Sequence, residues 1–173
     1  LENKKDLKKL EKIIIISKKK QKPVACLIKK NVLSFNKNII YKKRDNKGLK
    51  RHDVINFIID KKINNLKIFS TTGYTSRELY QLRKLKKDKT KDFYNVGAMG
   101  HTSMIALGYA LKDKNKKVLC LDGDGSLIMH MGSLSVIGEN TARNFKHIIF
   151  NNNQHESVGG QKTPIKSTNF KKL

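Results

Sequence analysis

Apolar positions follow two different spacings along the chain, with a polar break before residue 49. Before the break, a first group recurs at helical spacing and predicts a helix over residues 6–20, capped by Asp6. Residues 24–28 follow Pro23 and form a continuous apolar run, which predicts a buried strand. Residues 29–48 are polar and without periodicity, which is typical of a linker.

After residue 48, helical and strand-like patterns alternate. Apolar residues recur every three to four positions in the stretches predicted as helices, which are 54–63, 77–85, 102–111 and 127–138. Short apolar runs predict strands over 66–69, 118–121 and 145–150. Such an alternation predicts an α/β domain, with a parallel sheet that carries helices on both faces.

Polar turns follow the predicted strands, and two of them carry metal-binding chemistry. Asp124 lies between two glycines after one strand, and Asn152 follows the next strand 28 residues later, about the length of one strand–helix–strand unit. A carboxylate would repel a phosphate unless a divalent cation lay between them, and Mg²⁺ prefers such oxygen ligands. Taken singly, each motif is more typical of an ordinary turn. Their spacing favours a Mg²⁺–diphosphate site at adjacent strand ends.

The net charge of +24 favours a nucleic-acid-binding protein at first sight. The excess is almost entirely Lys, however, with 33 Lys against 5 Arg, and nucleic-acid readers depend on Arg and aromatic side chains. Residues 95–161, which hold most of the motifs, have a net charge of only +1. We therefore attribute the Lys excess to A/T-rich codon usage, and a basic nucleic-acid-binding protein stays as the alternative from another class.

The expected location is the cytoplasm, without membrane association. Cys26 and Cys120 lie in apolar runs and are predicted to be buried thiols, which suits a reducing compartment. The chain has neither an apolar run of bilayer-spanning length nor the pattern of a signal peptide.

Four segments of the sequence, residues 70–80, 96–103, 121–134 and 155–161, together resemble the pyrophosphate-binding domain of thiamine-diphosphate-dependent 2-oxoacid decarboxylases. The resemblance spans about residues 50–165 and is strongest to enzymes that act on phosphonopyruvate. It implies thiamine diphosphate and Mg²⁺ as cofactors, and decarboxylation of 3-phosphonopyruvate to phosphonoacetaldehyde and CO₂ in phosphonate biosynthesis. Sulfopyruvate decarboxylase is similar in the same places, and an acetolactate-synthase-like enzyme is a further alternative, against which residues 155–161 argue.

The resemblance also implies roles for individual residues. The Asp124 and Asn152 side chains and the backbone carbonyl of Gln154 would bind Mg²⁺. Gly97 would accept a hydrogen bond from the aminopyrimidine, and Met99 would support the bent cofactor, with plain core packing as its alternative. Residues beside the diphosphate or substrate would be Gly123, Gly125, Ser126, Thr72, Thr75 and Ser76.

One histidine and one missing glutamate complete the implied site. His155 would face the substrate and either transfer a proton or contact an anion, although a structural role is equally open. The family usually has a small residue or glycine where this chain has Asn153. The Glu that activates the cofactor in the family would lie upstream of Leu1 and is absent from this chain.

The resemblance implies a domain organisation as well. Residues 1–28 would end a pyrimidine-binding domain, 29–48 would be the linker, and 49–173 would be a pyrophosphate-binding domain truncated at its C-terminus. In the family the cofactor lies between subunits, so a homo-oligomer is the expected active form. The chain alone is expected to be inactive and to bind thiamine diphosphate poorly.

Overall fold

A computed structural model of the chain describes residues 6–29, 48–140 and 142–167. The chain divides into two compact units, Leu1–Asp45 and Asn46–Leu173. In the first unit, helix α1 spans Leu7–Lys20, so the predicted helix is confirmed. Asp6 is the N-cap residue, as predicted, but its side chain makes no capping hydrogen bond, and its carboxylate lies 2.6 Å from Nζ of Lys9.

The strand predicted over residues 24–28 is wrong. Residues 22–29 form neither helix nor strand, and Val24, Leu27 and Ile28 are exposed. An apolar run becomes a strand only when a neighbouring strand pairs with its backbone, and none does so within the described ranges. Cys26 is consequently only partly buried, whereas Cys120 is buried as predicted. The predicted linker falls almost wholly outside the described residues.

The second unit contains the alternating elements. Its helices are α2 (Arg51–Asp60), α3 (Tyr74–Leu85), α4 (Thr102–Lys112), α5 (Asp124–Met129) and α6 (Ser133–Asn140). Its strands are β1 (Leu66–Ser70), β2 (Phe93–Tyr94), β3 (Lys117–Gly123), β4 (Phe145–Phe150), β5 (Gln154–His155) and β6 (Gln161–Lys162). Short 3₁₀ helices cover Glu156–Val158 and Pro164–Ser167.

Strands β1 to β4 form one parallel sheet in the order β2-β1-β3-β4, which confirms the predicted α/β class. Because side chains of a strand alternate between faces, Leu119 and Leu121 pack with α2 and α3, while Val118 and Cys120 pack with α4. Helices therefore cover both faces of the sheet, as predicted. All four strands end at the same edge, where their following loops meet.

Several elements differ from the predicted boundaries. Strand β2 was not predicted because it has only two residues. The helix predicted over 127–138 is two helices, α5 and α6, separated by a turn that contains Gly132. Helix α3 begins at Tyr74 rather than Arg77, because Gly73 turns the chain at a φ of +91°. In the ranges that the structure describes, no helix combines the length and apolar character needed to cross a bilayer.

Candidate functional site

The loops after β3 and β4 meet because these two strands are paired to their last residues. Gly123 is the register partner of Phe150, so Asp124 and Asn152 follow neighbouring strand ends. Both residues line one cavity of about 50 Å³ at the carboxyl edge of the sheet. The structure thus brings together the two side chains on which the predicted metal site depends.

Most of the other predicted site residues line the same cavity. They are Thr72, Thr75, Met99, Gly123, Gly125, Ser126, Gln154 and His155. Gly97 does not line it and is exposed in the loop before α4. Ser76 does not line it either, since its hydroxyl is buried and donates to the backbone carbonyls of Ser70 and Thr71, at 3.1 and 2.7 Å.

Asp124 is buried at the start of α5, with 3% of its surface exposed. Its Oδ2 accepts a hydrogen bond of 2.6 Å from the Thr163 hydroxyl, and the Thr163 N–H donates to the Asn153 carbonyl. A carboxylate has about four acceptor positions, so this bond leaves the group able to share a cation. Thr163 therefore bonds to both loops that are predicted to bind the metal ion. No sequence motif indicated this role.

The Asn152 amide is held at both ends. Its Oδ1 accepts from the Gln154 N–H at 3.1 Å, and its Nδ2 donates to Oε2 of Glu156 at 3.2 Å. The next residue, Asn153, has a left-handed φ of +57°, which explains the glycine expected there. Asparagine tolerates this conformation better than most residues, so the loop keeps its shape.

Gly125 forms a cradle that a larger residue would fill. A Cβ built on it would lie 2.5 Å from Cε1 of His155 and 3.3 Å from Cε of Met99. These two side chains therefore come directly against the glycine backbone at the cavity wall. The absence of a side chain at Gly125 makes room for the His155 ring against the first turn of α5.

Ser126 connects the loops beneath the cavity. Its hydroxyl lies 2.9 Å from the Thr71 hydroxyl and accepts a 3.0 Å bond from the Gly100 N–H. Burial raises the pKa of neighbouring Asp122, but hydrogen bonds from His147, Ser126 and the backbone outweigh it, so this pKa lies below its usual value. The network fixes the backbone that carries Asp124.

Three residues beneath this network have a structural role rather than a binding role. Cys120, Asp122 and His147 place ligand-type atoms within 4.8 Å of one another. His147 already pairs with Asp122, with Nε2 and Oδ2 3.2 Å apart. Burial raises the pKa of the Cys120 thiol far above its usual value, so it stays protonated and unreactive.

Arg51 and Glu156 also line the cavity and were not predicted as site residues. Arg51 lies on α2 and pairs with Glu78 on α3 and with Glu156 after β5. These partners are 27 and 105 residues away in sequence. No local spacing pattern could have indicated them.

The donors at this edge fit a cation-bound diphosphate. A carboxylate, an amide oxygen and several hydroxyls are hard-cation ligands, and a cation that they hold can in turn bind an anion. The fold and the site define a metal-assisted diphosphate-binding α/β domain. Residues 71–172 match the family model of the thiamine pyrophosphate (TPP) enzymes that is described as their C-terminal TPP-binding domain. The chain belongs to this family, whose cofactor is thiamine diphosphate held with Mg²⁺.

Three similar proteins indicate which enzymes of this family the chain resembles. The chain is 44% identical over 96 residues to the phosphonopyruvate decarboxylase of Streptomyces viridochromogenes, an alignment that covers 56% of this chain and 23% of that protein. It is 40% identical over 125 residues to the sulfopyruvate decarboxylase subunit beta of Methanocaldococcus jannaschii, covering 72% and 64% respectively. It is also 40% identical over 57 residues to the acetolactate synthase isozyme 1 large subunit of Escherichia coli, covering 33% and 10%. The chain therefore spans less than two thirds of the length of each of these relatives. The family match over residues 71–172 confirms the predicted family membership.

Proposed function

We propose that this chain is the cofactor-binding part of a thiamine-diphosphate-dependent decarboxylase that converts 3-phosphonopyruvate to phosphonoacetaldehyde and CO₂. One observation carries the proposal: Asp124 and Asn152 follow paired strand ends and line one cavity beside the Gly125 cradle. The names of the similar proteins support the substrate class, since phosphonopyruvate and sulfopyruvate are both pyruvates with an anionic group.

In this proposal the residues of the chain bind and orient. Asp124, Asn152 and the Gln154 carbonyl hold Mg²⁺, while the first turn of α5 approaches the diphosphate through Gly125. Thiamine diphosphate, when bound, supplies the electron sink that decarboxylation of a 2-oxoacid needs. Met99 forms one wall of the cavity, where it can support the cofactor.

The proposed active form is a homo-oligomer with the cofactor between subunits. A cavity of about 50 Å³ has room for a cation and part of a phosphate, so another surface has to cover the rest of the cofactor. Residues 1–28 are proposed to end the pyrimidine-binding domain. The Methanocaldococcus relative bears the name of a subunit, which supports assembly.

Sulfopyruvate decarboxylase is the second candidate function. The 40% identity over 125 residues to a sulfopyruvate decarboxylase subunit favours it, and this alignment is longer than the one to the phosphonopyruvate enzyme. We rank phosphonopyruvate first on the four sequence segments that resemble the phosphonopyruvate enzymes.

Turnover of the two anionic substrates and of pyruvate tests both candidates. The protein from the complete reading frame is assayed for aldehyde and CO₂ with Mg²⁺ and thiamine diphosphate. We expect kcat/KM for phosphonopyruvate to exceed that for pyruvate by about 100-fold, because a site built for a charged group rejects an analogue that lacks it. A preference for sulfopyruvate would favour the second candidate, and a preference for pyruvate would contradict both.

His155 is expected to contribute to turnover rather than to cofactor binding. Its ring lies against Gly125 at the cavity wall, where it can reach a substrate atom. We expect His155→Ala to lower kcat by about 100-fold, the usual contribution of a proton-transfer group, with thiamine diphosphate affinity nearly unchanged. His52→Ala is the matched control, because His52 is exposed on α2. Unchanged turnover in the His155 variant would remove this role.

A further inference from the structure

The orientation of the Asn152 amide matters for any cation at this site. The oxygen and nitrogen of an amide have nearly the same size, but only the oxygen can bind a metal ion. A half-turn of the amide would present an N–H group to the cation instead. Two contacts distinguish the ends of the amide: the Gln154 N–H donates to Oδ1 from within the same loop, and Nδ2 donates to the side chain of Glu156.

Glu156 needs its own restraint to serve this purpose. It lies in the short 3₁₀ helix after β5, and 43% of its side chain is exposed. An exposed glutamate would ordinarily exchange between rotamers. Its Oε2, which accepts from Asn152, also lies 3.0 Å from Nη1 of Arg51, so the ion pair fixes the oxygen that the amide uses.

Arg51 is in turn held by the rigid part of the domain. Its Nε and Nη2 donate to the two carboxylate oxygens of Glu78, at 3.0 and 2.6 Å. The paired side chains of Arg51 and Glu78 are only 17% and 22% exposed, which limits screening by water. The remaining nitrogen, Nη1, is the one directed to Glu156. A fixed chain of contacts thus runs from α3 through α2 to the loop after β4.

We propose that Arg51 and Glu156 are positioning residues for the metal site, which hold the Asn152 amide with its oxygen available to the cation. This inference rests on the proposed role of Asn152 as a metal ligand. Residues that orient a metal ligand from behind typically change metal affinity by about 10- to 100-fold when removed.

Because Arg51 is charged, one substitution can distinguish a positioning role from a direct electrostatic effect of this residue on metal affinity. Removing a positive side chain beside a cation site would remove a Coulomb repulsion, and this effect alone would strengthen metal binding. Removing a positioning residue weakens it. Arg51→Met therefore gives opposite results under the two explanations.

The experiment measures metal binding directly. Mn²⁺ is titrated into the protein from the complete reading frame at saturating thiamine diphosphate, and free Mn²⁺ is followed by electron paramagnetic resonance. We expect Arg51→Met and Glu156→Ala each to weaken Mn²⁺ binding by about 10-fold or more. Glu156→Gln is expected to stay within about threefold of the parent, because its amide oxygen can still accept from Asn152. Lys86→Met, which breaks the exposed ion pair with Asp60 just after the end of α3, is the matched control.

The outcomes separate the inference from the proposed function. Mn²⁺ binding by Arg51→Met that equals or exceeds that of the parent would overturn the positioning role. Equal losses in Glu156→Ala and Glu156→Gln would also overturn it, because charge alone would then explain them. Asp124→Ala is included as a reference: if it retained full Mn²⁺ affinity, the metal site itself would be wrong, whatever the other variants showed.

Discussion

Asp124→Asn is expected to abolish the dependence of thiamine diphosphate binding on Mg²⁺. In the parent, the buried carboxylate at the start of α5 would repel the diphosphate unless a cation lay between them. The neutral amide keeps the size of the side chain and can still accept the bond from Thr163. In the presence of Mg²⁺, we expect the apparent affinity for thiamine diphosphate to fall by at least about 100-fold. This effect is larger than that of losing a residue that only orients a metal ligand.

Calorimetric titration of thiamine diphosphate, with Mg²⁺ and with chelator, measures this effect. The parent should show a large difference between the two conditions, and the Asn variant almost none. Asp113→Asn is a matched control, because Asp113 lies at the end of α4 and its carboxylate accepts from the Asn115 N–H. A normal metal dependence in the Asp124 variant would contradict the assignment of this carboxylate.

Arg83→Met is expected to lower the free energy of unfolding by about 3 kcal/mol. The Arg83 side chain is 10% exposed, and its guanidinium binds Asp92, whose side chain is fully buried, with Nε and Oδ2 2.8 Å apart. Burial raises the pKa of Asp92, even against the hydrogen bonds and charge of Arg83. Methionine fills the space but leaves this carboxylate without its counter-charge.

Urea unfolding at several pH values measures this loss. A carboxyl whose pKa is raised by folding stabilises the folded state below its unfolded pKa, and that contribution is lost as the pH rises through the folded pKa. The deficit of Arg83→Met should therefore be largest near neutral pH and should shrink as the pH falls toward about 4. Lys86→Met, which breaks an exposed pair, should cost less than about 1 kcal/mol. Adding Asp92→Asn to Arg83→Met should restore part of the loss; no recovery would contradict the buried-charge explanation.

Hydrophobic spacing predicted the second unit well because its helices bury one face each, and because a strand such as β3, which is covered on both faces, is a continuous apolar run. Strand β4 has the predicted limits, and β1, β3, α2 and α4 lie within a few residues of theirs. The errors have local causes: within the described ranges no strand pairs with residues 24–28, and Gly132 divides a single apolar pattern into α5 and α6. Apolar spacing indicates neither the pairing of strands nor a break between helices.

The sequence alone determined the alternating α/β class and the two strand-end motifs that carry Asp124 and Asn152. These features depend on residues that are neighbours in the chain, so their spacing can be read directly. Only the tertiary structure revealed that Thr163 binds Asp124 and that Arg51 pairs with Glu156, which accepts a hydrogen bond from the Asn152 amide. These contacts join residues 39 and 105 positions apart, and the parallel sheet, by bringing distant loops to one edge, creates them.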